Sequence, residues 1–183
     1  ATLEDAALMA IELAGGPKRP APVDSPALHA VAEEERRRLP AGRRFIRGLF
    51  SGGTLADEAL IVLRAYIGEC RSNTPLAPEL KLSDPRRSDG NCILDLGDDE
   101  FTRGRPHPMI DFALRCERIV REAEDPGTGV VLLDVVLGYG AHLDPAGELV
   151  PAIRKARDSA RGGIAFVASI TGTDADPQNR ARQ

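Results

Sequence analysis

Phe45-Ile46-Arg47-Gly48-Leu49-Phe50-Ser51-Gly52-Gly53-Thr54-Leu55 is the stretch that decides the fold. A short, mostly apolar run of strand-forming residues enters a serine–glycine–glycine–threonine turn. From Leu55 to about Tyr66 the apolar residues then recur at helical spacing. An apolar strand that runs through glycine directly into a helix is the opening half of a β–α–β unit.

The same rhythm repeats downstream. Cys92 to Leu96 runs into Gly97-Asp98-Asp99-Glu100, and the spacing predicts a helix over 109–123. Val130 to Val136, nearly all apolar, runs into Gly138-Tyr139-Gly140 and a helix over 148–160. Ile164 to Ile170 ends in Thr171-Gly172-Thr173. Every connection between strands is long enough for a crossover, so the reading is α/β: a parallel sheet with helices on both faces. Residues 68–90, with Pro75, Pro78 and Pro85, read as a long loop.

Upstream, residues 1–40 form a separate helical and proline-rich segment. An amphipathic helix over 2–14 has a Thr2/Asp5 cap and stops at Gly15-Gly16-Pro17. Prolines 17, 20, 22 and 26 make a linker, and a charged helix over 27–38 follows. The α/β domain occupies 41–183. The first residue lies inside a helical pattern and the last follows a turn that should start a helix, so the expectation is a piece of a longer protein.

The 183 residues are 42% hydrophobic and 28% charged, which suits a globular domain, and the net charge is −4. Aromatic residues make up only 4%, with no Trp, and the chain is acidic. Stacking platforms and a general attraction for a phosphate backbone are therefore missing, and nucleic acid is excluded as a partner. No apolar run is long enough to span a bilayer, so a membrane is not expected either. Cys70, Cys92 and Cys116 are odd in number and widely spaced, as in reduced thiols of a cytoplasmic protein.

All four predicted strands end in small or polar residues, the edge at which open α/β sheets bind ligands. Gly52 and Gly53 let the backbone approach an anion, the following helix offers unpaired N–H groups, and Ser51 and Thr54 add hydroxyls. Arg105 would add a guanidinium, and Gly138, Gly140, Gly172 and Thr173 belong to the other turns of the edge. His107, held between Pro106 and Pro108, is the candidate acid–base or nucleophilic residue. Asp98 and Asp99 are carboxylates of the kind that hold Mg²⁺ together with phosphate oxygens. The turn lacks the Gly-Lys-Ser/Thr of a phosphate loop and the G-x-G-x-x-G of a dinucleotide site.

Three longer phrases carry a family resemblance: Gly48 to Leu55; Asp95 to Thr102 with Gly104 to Asp111; and Leu132 to His142. Gly172 to Gln178 adds to them. Over roughly residues 43–178 they resemble the FdrA family of acyl-CoA synthetase-like proteins. More widely they resemble the CoA-ligase domain of succinyl-CoA synthetase, which has a flavodoxin-like fold. The resemblance implies a glycine turn and helix that receive a phosphate or an acyl phosphate. CoA, a nucleotide and Mg²⁺ would be shared with another domain, and the protein would be a homo- or hetero-oligomer. The glycine turn itself carries no histidine. FdrA-like chains also resemble a subunit of an oxamate carbamoyltransferase that forms carbamoyl phosphate in purine and ureide breakdown. A third reading is an interaction module without chemistry of its own. A receiver-like domain, resting on Asp95 or Asp134, lacks the fifth strand and lysine that it needs.

Overall fold

A computed structural model describes residues 2–16 and 25–172. Its single sheet has five parallel strands: β1 (Phe45–Phe50), β2 (Arg71–Ser72), β3 (Cys92–Asp95), β4 (Thr128–Val136) and β5 (Ala165–Thr171). The helices are α1 (Leu3–Leu13), α2 (Pro26–Arg38), α3 (Gly53–Ile67), α4 (Asp99–Thr102), α5 (Ala113–Glu124) and α6 (Pro145–Ser159). The strands lie in the order β2-β3-β1-β4-β5. From β1 the chain goes to the edge strand β2, returns to β3 beside β1, then crosses over β1 to β4 and on to β5. The reversal places a crevice at the carboxyl ends of β1 and β4.

Alternation along the strands explains the layers. Leu49, Leu94, Val131 and Leu133 face α5 and α6, where they pack with Ile119, Leu149 and Ala156. Phe50 and Ile93 face the opposite side and pack on Ala56 and Leu60 of α3. Helices thus cover both faces, as the pattern predicts. Gly48 has no room for a side chain, since a Cβ there would sit 2.3 Å from Ile93 Cδ1.

Several boundaries differ from the sequence reading, each for a local reason. Helix α3 begins at Gly53 instead of Leu55, so the glycines are part of its first turn. Helix α6 begins at Pro145 instead of Glu148, because Asp144 caps it and Pro145 fits the first helical position. Helix α5 begins only at Ala113. Residues 107–111 form a separate turn, with Ile110 and Asp111 N–H groups on the His107 carbonyl, and Asp111 takes the Ala113 N–H at 2.8 Å. The 68–90 stretch, read as a loop, contains the edge strand β2, so the sheet has the fifth strand that the sequence reading said was missing. Its neighbour Asn73 exchanges two 3.0 Å hydrogen bonds with the Asp95 backbone, and Cys70, Ser72 and Leu82 are buried.

At the amino-terminal end, Thr2 and Asp5 form the expected reciprocal cap of α1. Helices α1 and α2 bury no residue. The proline linker at 17–24 and the Thr173–Gln183 tail lie outside the described residues. All three cysteines are free. Burial pushes the Cys70 thiol up to about 12 and the Cys92 thiol up to about 11. They are inert core groups rather than reactive ones. No helix of the described residues is long and apolar enough to cross a membrane.

Candidate functional site

The sequence places a carboxylate near the carboxyl end of each of two apolar strands, Asp95 in β3 and Asp134 in β4. A buried charge needs partners, and the two aspartates find different ones. Asp134 is 1% exposed and accepts the Ser51 N–H at 2.8 Å, the Ser51 hydroxyl, and Arg115 Nη2 at 2.8 Å. Arg115 comes from α5 on the far side of the sheet, is fully buried, and also donates to the carbonyls of Leu49 and Asp134. Burial draws its pKa below the ordinary value, against the pull of Asp134. This pair pins the start of the glycine turn at the switch point.

Ser51 is therefore turned inward, its N–H and hydroxyl both spent on Asp134. Gly52, Gly53 and Thr54 remain as the cradle. Gly52 is the N-cap of the fifteen-residue α3 and supplies no side-chain cap, and no acidic residue lies in the first turn. By contrast, Ser25, Asp98 and Asp144 side chains cap α2, α4 and α6. The amino end of α3 thus presents uncapped N–H groups at the sheet's carboxyl edge.

Asp95 and His107 close the side of this cradle. A Cβ at Gly53 would lie 3.1 Å from Asp95 Oδ2. A Cβ at Gly97 would lie 2.6 Å from the Ser51 carbonyl oxygen, 2.8 Å from His107 Nε2 and 3.1 Å from Asp95 Oδ1. Three polar groups thus converge on a gap that only glycine leaves open. The Met109 N–H donates to His107 Nδ1 at 3.3 Å, which leaves the neutral ring's proton on Nε2, facing the gap. Asp95 Oδ1 accepts the Gly97 N–H at 2.8 Å.

Burial raises the Asp95 carboxyl above its ordinary value. The Gly97 N–H opposes this, Asp98 adds to it, His107 opposes it and Asp57 adds to it. The folded state therefore holds this proton more tightly than the unfolded chain. The resulting stability is complete below about pH 3.9 and is lost as pH rises through the folded value. Asp95→Asn is expected to raise Tm at pH 7, with the gain vanishing as melts are repeated toward pH 3.5. A variant less stable than the parent at pH 7 would sink this assignment.

The other predicted residues separate into groups. Gly138 and Gly140 have φ of +138° and +83°, so their turn requires glycine. That turn is tied to the His107 turn by the His142 N–H on the Met109 carbonyl at 2.8 Å. Gly172 packs on Leu137, whose N–H bonds the Thr171 carbonyl at 2.8 Å. Thr173 lies outside the described residues.

Asp98 does not stand free as a ligand: it caps α4, accepting the Glu100 N–H at 2.9 Å, and Asp99 is in that helix's first turn. No group of three or more His, Cys, Asp or Glu suited to a metal ion occurs among the described residues. The Mg²⁺ reading of Asp98 and Asp99 thus gains no geometric support. Arg105 is not in the cradle. The chain turns at Gly104, φ +74°, and Arg105 lines a cavity of about 290 Å³ with Arg86, Arg103, Arg118 and Arg121.

Comparison with known proteins matches residues 49–183 to the CoA-ligase family model. The chain belongs to the CoA-ligase family. It is also similar to the uncharacterized protein YahF of Escherichia coli (strain K12), 38% identical over 187 aligned residues. The alignment covers 98% of this chain and 35% of YahF, so the chain spans about a third of that relative's length. The matched segment begins at Leu49 and takes in the whole cradle of this CoA-ligase domain. It is a succinyl-CoA synthetase-like domain in architecture.

The sequence reading missed Asp95, Gly97, Asp134 and Arg115 as parts of the site. The signal was present: a carboxylate inside an apolar strand must be paired or must shift its pKa.

Proposed function

We propose that this CoA-ligase domain is the phosphate-holding part of an FdrA-like acyl-CoA synthetase. The single observation that carries this reading is the uncapped amino end of α3, at Gly52 and Gly53, beside the crevice between β1 and β4. The N–H groups of the first turn and the Thr54 hydroxyl would hold the oxygens of a phosphate or acyl phosphate. The helix dipole would add positive potential where negative charge grows during phosphoryl transfer. His107 Nε2–H would donate a proton or hydrogen bond to that group. Burial raises the Asp95 carboxyl, so an anion arriving beside it would favour proton uptake there. CoA, nucleotide and acyl acceptor would meet this phosphate through other parts of a longer chain or through a partnered CoA-ligase domain in an oligomer.

The test is a thermal shift against inorganic phosphate. A ligand at a hundred times its Kd stabilises by about 2.7 kcal/mol. The parent chain should shift, Gly53→Leu should not, and Arg121→Ser in the separate arginine cavity should shift like the parent. Phosphate stabilisation that survives Gly53→Leu removes the cradle from consideration.

A further inference from the structure

The cavity over α4 and α5 is lined by five arginines, two glutamates, Phe101 and Leu114. None of these residues belongs to the cradle. Arg118, in its floor, is 5% exposed and fully engaged: Nε on Glu122 at 2.7 Å, Nη2 on Ser88 at 2.9 Å, Nη1 on the Pro85 carbonyl at 3.1 Å. Its charge is matched by buried Glu122. Arg86, Arg103, Arg105 and Arg121 have no ion pair or side-chain hydrogen bond among the described residues, and only Glu100 and Glu117 oppose them.

The arrangement runs against the chain's overall charge of −4. The four arginines are exposed, so water and salt damp their mutual repulsion, and an anion held between them would remove the remainder. They come from three separate places in the sequence: Arg86 before β3, Arg103 and Arg105 beyond α4, and Arg121 on α5. Their meeting is thus a product of the tertiary fold and not of one basic run. Guanidiniums offer paired N–H donors that fit phosphate oxygens two at a time. A cavity of about 290 Å³ is too large for a single phosphate. We propose that it binds a multiply charged phosphate compound of the diphosphate class, with Phe101 and Leu114 as the apolar wall for whatever the diphosphate carries. The proposal does not rest on the cradle's role.

The diphosphate could be free or part of a nucleotide or CoA, so binding would be measured by calorimetry with pyrophosphate, ADP, CoA and inorganic phosphate. The buffer would contain 150 mM salt and no divalent ions. Pyrophosphate is expected to bind at least about tenfold tighter than phosphate. Arg103→Ser and Arg121→Ser should each weaken it about tenfold, while their Tm stays within about 2 °C of the parent. Arg154→Ser, on α6 and outside the cavity, should leave pyrophosphate affinity unchanged, and repeating the titrations in a Gly52→Asp background removes any contribution of the cradle. ADP or CoA binding tighter than pyrophosphate, with the same arginine dependence, assigns the diphosphate to that larger molecule. Weaker binding assigns it to the free ion. The proposal is overturned if pyrophosphate does not bind, if Arg154→Ser weakens it as much, or if Gly52→Asp abolishes it while the arginine variants do not.

Discussion

Asp134→Ala is expected to lower the unfolding free energy by about 3–5 kcal/mol, the usual result of stranding one member of a buried ion pair. Arg115 would keep its charge at a site with no solvent exposure, and its Nε already lacks a partner among the described residues. The Ser51 N–H and hydroxyl would lose their acceptor at the same moment. Against a typical total of 5–15 kcal/mol, a loss of this size leaves little reserve. Urea denaturation measures it directly. The double change Asp134→Leu with Arg115→Met should recover much of the loss, because an apolar pair of similar volume avoids the unpaired charge. Phosphate binding should not return with it, since Ser51 would still be unanchored. A single-variant loss below about 1 kcal/mol would show that the pair is not buried as described.

Gly52→Asp should strengthen the fold and disable the cradle together. The position has an extended backbone, φ −168°, and a Cβ there meets nothing within 4 Å, so the side chain enters without strain. An aspartate at the N-cap bonds the first-turn N–H groups and faces the positive end of α3. The gain is about 0.5–1 kcal/mol, or a few degrees in Tm. Those N–H groups are the ones assigned to phosphate. Two charge-assisted bonds at roughly 1.5–3 kcal/mol each would be lost, so phosphate affinity should drop at least about a hundredfold. A raised Tm with unchanged phosphate affinity would contradict the proposed function while leaving the fold intact.

The fold was legible because its decisive signals are local. Apolar runs of strand length, glycine exits and long crossovers appear in β1, β3, β4 and β5 without reference to tertiary contacts. The edge strand β2 was not, because two residues carry no period, and its pairing depends on Asn73 meeting Asp95 across the fold. The same distinction governs the site. Gly52 and Gly53 announce a cradle by composition. Arg105 sits two residues from His107 yet faces another cavity, since the turn at Gly104 is invisible in a list of residue types. Ser51 reads as a ligand donor until Asp134, 83 residues away, takes its hydroxyl.

The central position of β1 also bears on how the chain folds as it is made. β1 pairs with β3 at Arg47↔Cys92 and with β4 at Leu49↔Leu133. At synthesis rates of roughly 5–20 residues per second, Leu49 is added to the chain on the order of 4–17 s before Leu133. During that interval Phe45, Ile46, Leu49 and Phe50 have no completed sheet to enter. Until β3 and β4 follow, the apolar side chains of this first strand have no sheet partners to bury them.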